Sequence, residues 1–396
     1  MINIYQVRNQ AEKVNLNKLP DKGRFFRYEF KKLRFPGLHF PDTYFDKKGN
    51  LKRDIQRPTN SNGPVYLFLI PWELCNWNCL YCHQGELRRK ELIKKFKEGK
   101  GILPLKEAKN LIQEAVSMGV RGIMLLGGEM LIEGNFWNYT KELLEFIARF
   151  RKDSNKLIPE PIPVIYSNGS GITKKMAYEL DKLGVSLSLK FDSLVPTKFE
   201  KISGTTGSFK KTLELLSTLV NREIFRPRWE NELAVFTPLQ FITVGCPLSV
   251  GEYPRIAYFA SQLGVRWMVE YLNIIGSAEL NFPKEFTKIR QEKFLQKHLK
   301  YLRKVYRTNP AQRGFITQKW PCILFESLTV KSNLSGSFEI QTCPQDYHHP
   351  IIGDINSVKQ PLHVAWKRYL KTEHDLLCRK YLQDPICPIK NQTVLF

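Results

Sequence analysis

The chain has 396 residues, of which 42% are hydrophobic and 25% are charged, and its formal net charge is +23 at pH 7. This length and composition predict a globular protein with a large core and exclude a membrane-spanning one, because no apolar run approaches the ~20 residues that a span needs. The positive charge predicts an anionic partner. The alternative is that the charge only keeps the protein soluble.

Residues 1–64 show no clear hydrophobic period and contain fourteen Lys or Arg against six Asp or Glu. Eight aromatic residues between Phe25 and Phe45 are interleaved with these charges. Such a mixture can bind an anionic substrate through charge and stacking, or it can form an extended segment that packs its rings on the main domain and exposes its lysines. We expect the second arrangement and treat residues 1–64 as a separate basic, aromatic-rich segment.

From residue 65 onward, short apolar runs alternate with amphipathic helical patterns. The predicted strands are residues 65–70, 122–126, 162–167, 185–191, 239–244 and 265–271. The predicted helices are residues 104–118, 136–150, 174–183, 209–220 and 253–263. This alternation predicts a parallel sheet, and six units are fewer than a closed eight-stranded barrel requires. The predicted fold is α/β, with a partial (β/α)6 TIM-like barrel over residues 65–283.

Three cysteines follow the first predicted strand within eight residues, in the sequence Cys75-Asn-Trp-Asn-Cys79-Leu-Tyr-Cys82. Three thiolates this close together can hold three corners of one metal cluster and leave the fourth open for a substrate or cofactor. Zinc is the alternative, but structural zinc needs four ligands, and His83 is poorly placed to share a metal with the adjacent Cys82. The loop therefore predicts an open cluster where parallel α/β folds place their chemistry, at the carboxyl end of a strand.

The spacing C-x3-C-x-φ-C, with Tyr81 as the aromatic residue, resembles the signature of the radical S-adenosylmethionine superfamily. The resemblance implies a partial barrel, a [4Fe–4S] cluster on the three cysteines, and S-adenosyl-L-methionine bound to the open iron. In that superfamily an electron from the cluster cleaves the cofactor, and the resulting 5′-deoxyadenosyl radical abstracts hydrogen from a substrate. The resemblance also implies an external electron donor such as flavodoxin or ferredoxin.

Two further motifs resemble cofactor-binding parts of this superfamily. Gly127-Gly128-Glu129 resembles the Gly-Gly-Glu motif that holds the methionine amino group, although Met130 stands where the family usually has proline. The glycines would admit the ammonium close to the backbone, and the carboxylate would complement its charge. Ser167-Asn168-Gly169 resembles the Thr-Asn-Gly turn near the cofactor, although an asparagine in a turn also has an ordinary structural role.

The fourth predicted strand presents Ser186, Ser188, Lys190 and Asp192 on one face by alternation. The family commonly places a Ser-x-Asp here that touches the ribose and carboxylate of the cofactor. Ser188 and Lys190 are therefore predicted cofactor contacts, and the lysine could equally pair with a substrate anion. The sequence from Ser203 to Phe209 also resembles a helix start of the family, Gly-x-x-Gly-Ser-Phe.

Cys246 ends the fifth predicted strand and belongs to neither group of cysteines. A thiol S–H bond is weak enough to quench a carbon radical, so Cys246 is the candidate catalytic hydrogen donor of an epimerisation. The alternative is a buried, inert cysteine, which is a common core residue.

Residues 284–320 form a predicted basic helical connector, with a basic amphipathic helix over residues 285–307. The helix is either a solvated face or a docking ridge for an acidic peptide or phosphate. Residues 321–396 contain four more cysteines, Cys322, Cys343, Cys378 and Cys387. Their pattern resembles the SPASM/twitch extension of radical enzymes, and four cysteines fit the shorter twitch form. The resemblance implies a second, auxiliary [4Fe–4S] cluster that relays electrons, with zinc as the alternative.

These features predict a radical S-adenosylmethionine oxidoreductase or maturase that modifies a ribosomally made peptide by cross-linking, oxidation or epimerisation in natural-product biosynthesis. The alternatives are a dehydrogenase or epimerase of a sugar, aminocyclitol or nucleotide-linked molecule, and a non-catalytic metal-bound module that binds nucleic acid. The expected partner is anionic, either an acidic peptide or a phosphorylated or nucleotide-linked small molecule. Clustered cysteines and no recognisable signal peptide lead us to expect a cytoplasmic location and no membrane partner.

Overall fold

A computed structural model describes residues 2–14, 43–45, 51–53, 63–83, 85–151, 159–226, 228–230, 233–236, 238–272, 276–282, 327–332, 337–342, 351–356 and 358–372, with five further positions between 293 and 301. The helices are α1 Ile4–Glu12, α2 Gly85–Lys97, α3 Leu105–Ser117, α4 Asn135–Ala148, α5 Lys174–Lys182, α6 Pro196–Ser203, α7 Ser208–Asn221, α8 Tyr253–Leu263, α9 Ser277–Asn281 and α10 Pro361–Thr372. The strands are β1 Thr43–Phe45, β2 Leu51–Arg53, β3 Tyr66–Leu69, β4 Gly122–Leu125, β5 Ile162–Ser167, β6 Ser186–Lys190, β7 Arg228–Glu230, β8 Leu233–Phe236, β9 Leu239–Gly245, β10 Arg266–Tyr271, β11 Ser327–Ser332, β12 Phe338–Gln341 and β13 Gly353–Asp354.

One large sheet organises the described residues, with the strand order β10-β9-β6-β5-β4-β3-β11-β12-β13. The strands from β10 to β11 in this order are all parallel, and β12 and β13 are added antiparallel. The six predicted strands are present within one residue of their predicted bounds, and the five predicted helices within two. The predicted α/β class with a parallel sheet is therefore confirmed.

The two faces of the sheet bury two separate apolar clusters, because successive strand residues point to opposite faces. Leu67, Leu69 and Leu125 lie on the outer face, in the cluster that includes the buried sides of helices α3 to α8. Tyr66 and Phe68 lie on the inner face, in a second cluster formed with Met124, Val164, Ile242 and Met268 from four other strands. The smaller inner cluster, on the face opposite the helices, is consistent with the predicted partial barrel.

Strand β11 lies beside β3 in parallel, with Ser327 opposite Tyr66 and Val330 opposite Leu69. The bond from Ile70 N–H to Val330 O, at 2.9 Å, continues the pairing to the start of the loop after β3. Residues 327–332 belong to the predicted C-terminal extension, in which no strand was expected from the sequence. A pairing between positions about 260 residues apart leaves no trace in local periodicity.

Helix α1 was not predicted, because residues 1–64 show no clear hydrophobic period. The Asn3 side chain accepts a hydrogen bond from Gln6 N–H at 3.1 Å and caps the helix. Ile4 and Ala11, seven residues apart, are buried in the outer cluster. The packing predicted for the aromatic rings between Phe25 and Phe45 lies outside the residues whose side chains are described.

Much of the C-terminal third also lies outside the described residues. Of the predicted basic helix, only positions 293, 296, 297, 300 and 301 are described, and all five are helical. Cys322, Cys343, Cys378 and Cys387 are not described, so the auxiliary cluster stays a prediction. Within the part of the chain that the structure describes, no helix is both long and apolar enough to cross a membrane.

Candidate active site

The three-cysteine loop, residues 71–83, follows the carboxyl end of β3 and is named here the cluster loop. Backbone hydrogen bonds fix its middle to the end of α6: Asn78 N–H donates to Ser203 O at 3.2 Å, and Leu80 N–H donates to Ile202 O at 2.9 Å. The start of α9 fixes its far end, where Ser277 N–H donates to Cys82 O at 2.8 Å. The loop is therefore held by helices as well as by its own strand.

The Gly127-Gly128 pair at the end of β4 lies directly against the first residues of the cluster loop. Gly128 N–H donates to Trp72 O at 3.1 Å, and Glu129 N–H donates to Leu74 O at 2.8 Å. A Cβ at Gly128 would lie 1.7 Å from Leu74 O, and one at Gly127 would lie 2.2 Å from Trp72 O. The close approach of two backbones therefore requires both glycines. Their predicted contact with the methionine amino group remains a prediction.

The Glu129 carboxylate is fully buried and already has three protein donors. Oε1 accepts from Leu131 N–H at 2.9 Å and from the Ser167 hydroxyl at 2.8 Å, and Oε2 accepts from Asn168 N–H at 2.7 Å. Burial raises the pKa of Glu129, and these hydrogen bonds act in the opposite direction. The carboxylate thus ties the end of β4 to the end of β5, which is a structural role that the sequence analysis did not predict.

Glu129→Gln is expected to lower the free energy of unfolding by about 1–3 kcal/mol, the usual cost of leaving a buried donor without a partner. The new amide group leaves one backbone N–H unpaired in either orientation, at Leu131 or at Asn168. Thermal unfolding of the metal-free chain measures the effect, with the exposed Glu145→Gln as matched control. Equal melting of the two variants would contradict this assignment.

Asn168 connects the β5 turn to the first cysteine. Its Nδ2 donates to Asn76 Oδ1 at 2.8 Å and lies 3.7 Å from Cys75 Sγ, within hydrogen-bonding distance of sulfur. Asn76 Nδ2 in turn donates to Ser170 Oγ at 2.7 Å. Four of the predicted site residues, Cys75, Glu129, Ser167 and Asn168, therefore form one connected network.

A second network surrounds Lys190 at the end of β6. Its ammonium lies 2.9 Å from Asp192 Oδ2 and over the rings of Trp77 and Tyr81, at 4.9 and 5.1 Å from the ring centroids. The Tyr81 hydroxyl donates to the same Asp192 oxygen at 2.8 Å, so the carboxylate joins the loop to the strand. Burial lowers the pKa of Lys190, but the charges of Asp192 and Cys79 outweigh it and the net pKa is raised.

The other two predicted residues lie deeper in the fold. Ser188 is fully buried on the same face of β6 as Lys190 and accepts a hydrogen bond from Gln240. Cys246 is fully buried in an apolar cluster with Ile202, Leu272 and Phe282, against which Leu80 and Tyr81 of the cluster loop pack. Burial raises the pKa of its thiol. This packing is that of a buried core cysteine, and its role as a hydrogen donor is still a prediction.

The donor set of the cluster loop fits a thiolate-bound cluster. Cys75, Cys79 and Cys82 lie within eight residues of the loop, and burial raises the pKa of Cys75 to about 12. Buried thiols of this kind ionise when a cation binds them. No three His, Cys, Asp or Glu side chains among the described residues converge as ligands of a single metal ion. A cluster, whose corners are held one thiolate each, does not require that convergence.

Three further residues contact or shape the cluster loop and were not predicted as site residues. Asp192 pairs with Tyr81 and Lys190, Trp77 covers the Lys190 ammonium, and Gly204 has a left-handed φ of 61°. A Cβ at Gly204 would lie 2.2 Å from Asn78 O. Asp192 and Gly204 did stand in recognised motifs, but only the folded chain shows that both motifs contact the cluster loop.

A three-cysteine loop at the carboxyl end of the first strand of the parallel sheet is the arrangement that the resemblance to radical S-adenosylmethionine domains implies. In agreement, residues 69–230 match the model of the Radical SAM superfamily. That stretch of the chain is therefore a Radical SAM superfamily domain, which implies a [4Fe–4S] cluster and S-adenosylmethionine.

Among curated proteins, the chain is similar to GTP 3′,8-cyclase of Sinorhizobium medicae, with 31% identity over 151 residues, 38% of this chain and 38% of the relative. It is also similar to AdoMet-dependent heme synthase of Methanosarcina barkeri, with 28% identity over 155 residues and the same two coverages of 38%. The matched region thus spans about two-fifths of the length of these relatives.

Two solved structures are similar in fold. The structure of anSMEcpe with bound AdoMet gives a TM-score of 0.51 at 14% identity and covers 79% of this chain and 82% of that chain. Streptococcus suis SuiB bound to its precursor peptide SuiA gives 0.50 at 14% identity, with coverages of 85% and 67%. At this identity the likeness shows a shared fold.

Proposed function

We propose that this chain is a radical S-adenosylmethionine enzyme that removes hydrogen from an unactivated C–H bond of a ribosomally made peptide. The observation that carries the proposal is the cluster loop, because its three thiols lie at the carboxyl end of β3 and the glycines of β4 and the turn of β5 support it. When bound, the cluster would supply the electron that cleaves the cofactor to a 5′-deoxyadenosyl radical.

The residues of the chain would hold and shield this chemistry. Cys75, Cys79 and Cys82 would bind the cluster, with the Asn168 amide fixing the first thiol. The apolar cluster around Cys246 lies beneath the loop and would keep water and stray hydrogen donors from a carbon radical. The contacts predicted for the cofactor remain predictions. They are Tyr81, whose hydroxyl donates to Asp192, and Gly127, Gly128, Glu129, Ser167, Asn168, Ser188 and Lys190.

Two of the four late cysteines flank the paired strands β11 and β12 in sequence. Thr329 lies opposite Gln341, so the chain enters β11 and leaves β12 at the same end of the hairpin. In sequence, Cys322 precedes this entry by five residues and Cys343 follows the exit by two. Because β11 is parallel to β3, that end is opposite to the end that carries the cluster loop. An auxiliary cluster on the late cysteines would act as an electron relay.

Two observations bear on the substrate. SuiB, similar in fold, is described with a precursor peptide, and the net charge of +23 suits an acidic peptide. The curated relatives favour a second candidate, because GTP 3′,8-cyclases match over 38% of the chain and the same charge suits a nucleotide-linked molecule. We take the peptide as the first candidate and the nucleotide-linked molecule as the second.

The experiment that tests the proposal is anaerobic reconstitution with iron and sulfide, followed by an assay for 5′-deoxyadenosine with dithionite. About eight irons per chain and deoxyadenosine formation are expected for two four-iron clusters. About four irons with activity would remove the auxiliary cluster and keep the enzyme. Zinc in place of iron, no cofactor cleavage, and strongly salt-dependent nucleic-acid binding would overturn the proposal in favour of a non-catalytic nucleic-acid-binding module.

The product identifies the reaction branch. Loss of two hydrogens from the substrate indicates cross-linking or dehydrogenation, whereas gain of one solvent deuterium indicates epimerisation through a thiol. In an epimerising enzyme, Cys246→Ala is expected to stop deuterium incorporation while deoxyadenosine still forms. Normal epimerisation by this variant would show that Cys246 is not the hydrogen donor.

A further inference from the structure

Lys190 is the cation of the described site, and the cluster loop is folded around it. Trp77 and Tyr81, on either side of Cys79 in sequence, both present their ring faces to the ammonium, at 4.9 and 5.1 Å. Phe199 of α6 adds a third ring at 5.8 Å. Ring faces within about 6 Å attract a cation, and the attraction is larger when the cation is removed from water. The ammonium therefore lies beside the middle of the cluster loop, where Trp77 and Tyr81 flank Cys79.

The charge of Lys190 is held at the cluster loop, between the ring faces of the two residues that flank Cys79 in sequence. Asp192 contacts the ammonium through Oδ2, and its Oδ1 accepts from Val244 N–H at 2.9 Å. An ammonium has three N–H bonds, so contact with one carboxylate oxygen leaves two for other acceptors. The side chain of Lys190 is only 12% exposed, so solvent screens its charge little.

We propose that Lys190 is a positioning residue that places its positive charge beside the corner of the cluster that Cys79 would hold. This charge thereby raises the reduction potential of the cluster. The inference rests on the proposed function, because it requires a cluster at the three thiols. Reduction adds one electron from an external one-electron donor, and no protein bond forms or breaks. A nearby positive charge stabilises the more negative, reduced state, and charge and hydrogen bonds at the sulfurs are established determinants of such potentials.

The proposal differs from the predicted pairing of Lys190 with the cofactor carboxylate. A lysine that pairs with the cofactor affects cofactor binding and leaves the potential of the cofactor-free cluster unchanged. A lysine that acts on the cluster changes that potential before any cofactor is added. A lysine that only fills the space between the rings changes neither quantity once the chain has folded.

The test is a redox titration of the reconstituted, cofactor-free protein. The electron paramagnetic resonance signal of the reduced cluster in the cluster loop reports the fraction reduced at each potential. Lys190→Met is expected to shift the midpoint to a more negative potential, with at least a tenfold lower reduced-to-oxidised ratio at fixed ambient potential, which corresponds to about 59 mV. Lys190→Arg keeps the charge and is expected to remain close to the wild type. Lys198→Met is the matched control, because Lys198 is 44% exposed and pairs with Glu252.

Asp192→Asn gives an independent sign test, because removal of the negative charge is expected to shift the midpoint in the positive direction. This variant keeps the inference testable if Lys190→Met does not fold or load iron. An unchanged midpoint in Lys190→Met, or a negative shift in Asp192→Asn, would overturn the inference while the wild-type cluster and its cofactor cleavage stand. A wild type that binds no iron–sulfur cluster would overturn the proposed function and this inference together.

Discussion

Replacing Cys75 by alanine is expected to abolish 5′-deoxyadenosine formation, to the level of a control without protein. The first thiol is the one to which the β5 turn is tied, through Asn168 and Asn76, and no other described thiol can take its place. Iron content separates the two proposed clusters in the same sample. The variant is expected to lose about four of about eight irons if the late cysteines hold a second four-iron cluster.

Cys246→Ala is the matched control for this experiment, since it removes a buried thiol that lies outside the loop. Its iron content and deoxyadenosine formation are expected to equal those of the wild type. If Cys75→Ala still cleaves the cofactor, the loop does not hold the reactive cluster and the proposed function is wrong.

Gly128→Ala is expected to have the second largest effect, although it adds only one methyl group. The new Cβ would lie 1.7 Å from Leu74 O and 2.6 Å from Cys75 N, and both are backbone atoms. The backbone at the first cysteine must therefore move. Overpacking of this kind costs typically about 1–3 kcal/mol, and here it displaces a proposed ligand. Reduced iron binding and a lower melting temperature are expected together.

Gly251→Ala provides the comparison, because a Cβ at that position meets no atom within 4 Å. It is expected to change stability by less than about 0.5 kcal/mol and to bind iron normally. Full iron loading in Gly128→Ala would show that the cluster loop can tolerate a different backbone position.

The six strands of the partial barrel could be predicted from the sequence, because apolar runs and glycines at helix ends are local signals. Gly184 and Gly264, for example, follow predicted helices and have left-handed φ values of 67° and 69°. The place of β11 could not be predicted, because its pairing with β3 is set by the completed sheet and not by nearby residues.

The residues of the site divide in the same way. The cysteine spacing predicted the loop without any tertiary information. The role of Asp192, in contrast, depends on its hydrogen bond with Tyr81, which lies 111 residues earlier in the chain. The roles of Glu129 and Asn168 as supports of the loop required knowledge of the distance between the ends of β4 and β5. Hydrogen bonds of this kind follow from the strand order, which local patterns do not specify.

The pairing of β3 with β11 also affects how the protein is made. During synthesis, β3 leaves the ribosome about 260 residues before its neighbour β11. At about 5–20 residues per second, one edge of β3 lacks this partner for some tens of seconds. Unpaired strand edges promote association between chains, so slower growth at low temperature and chaperones that cover nascent chains are expected to raise the soluble yield. A fragment that ends before β11 would retain this exposed edge permanently, whereas a peptide spanning residues 327–342 could cover it in trans.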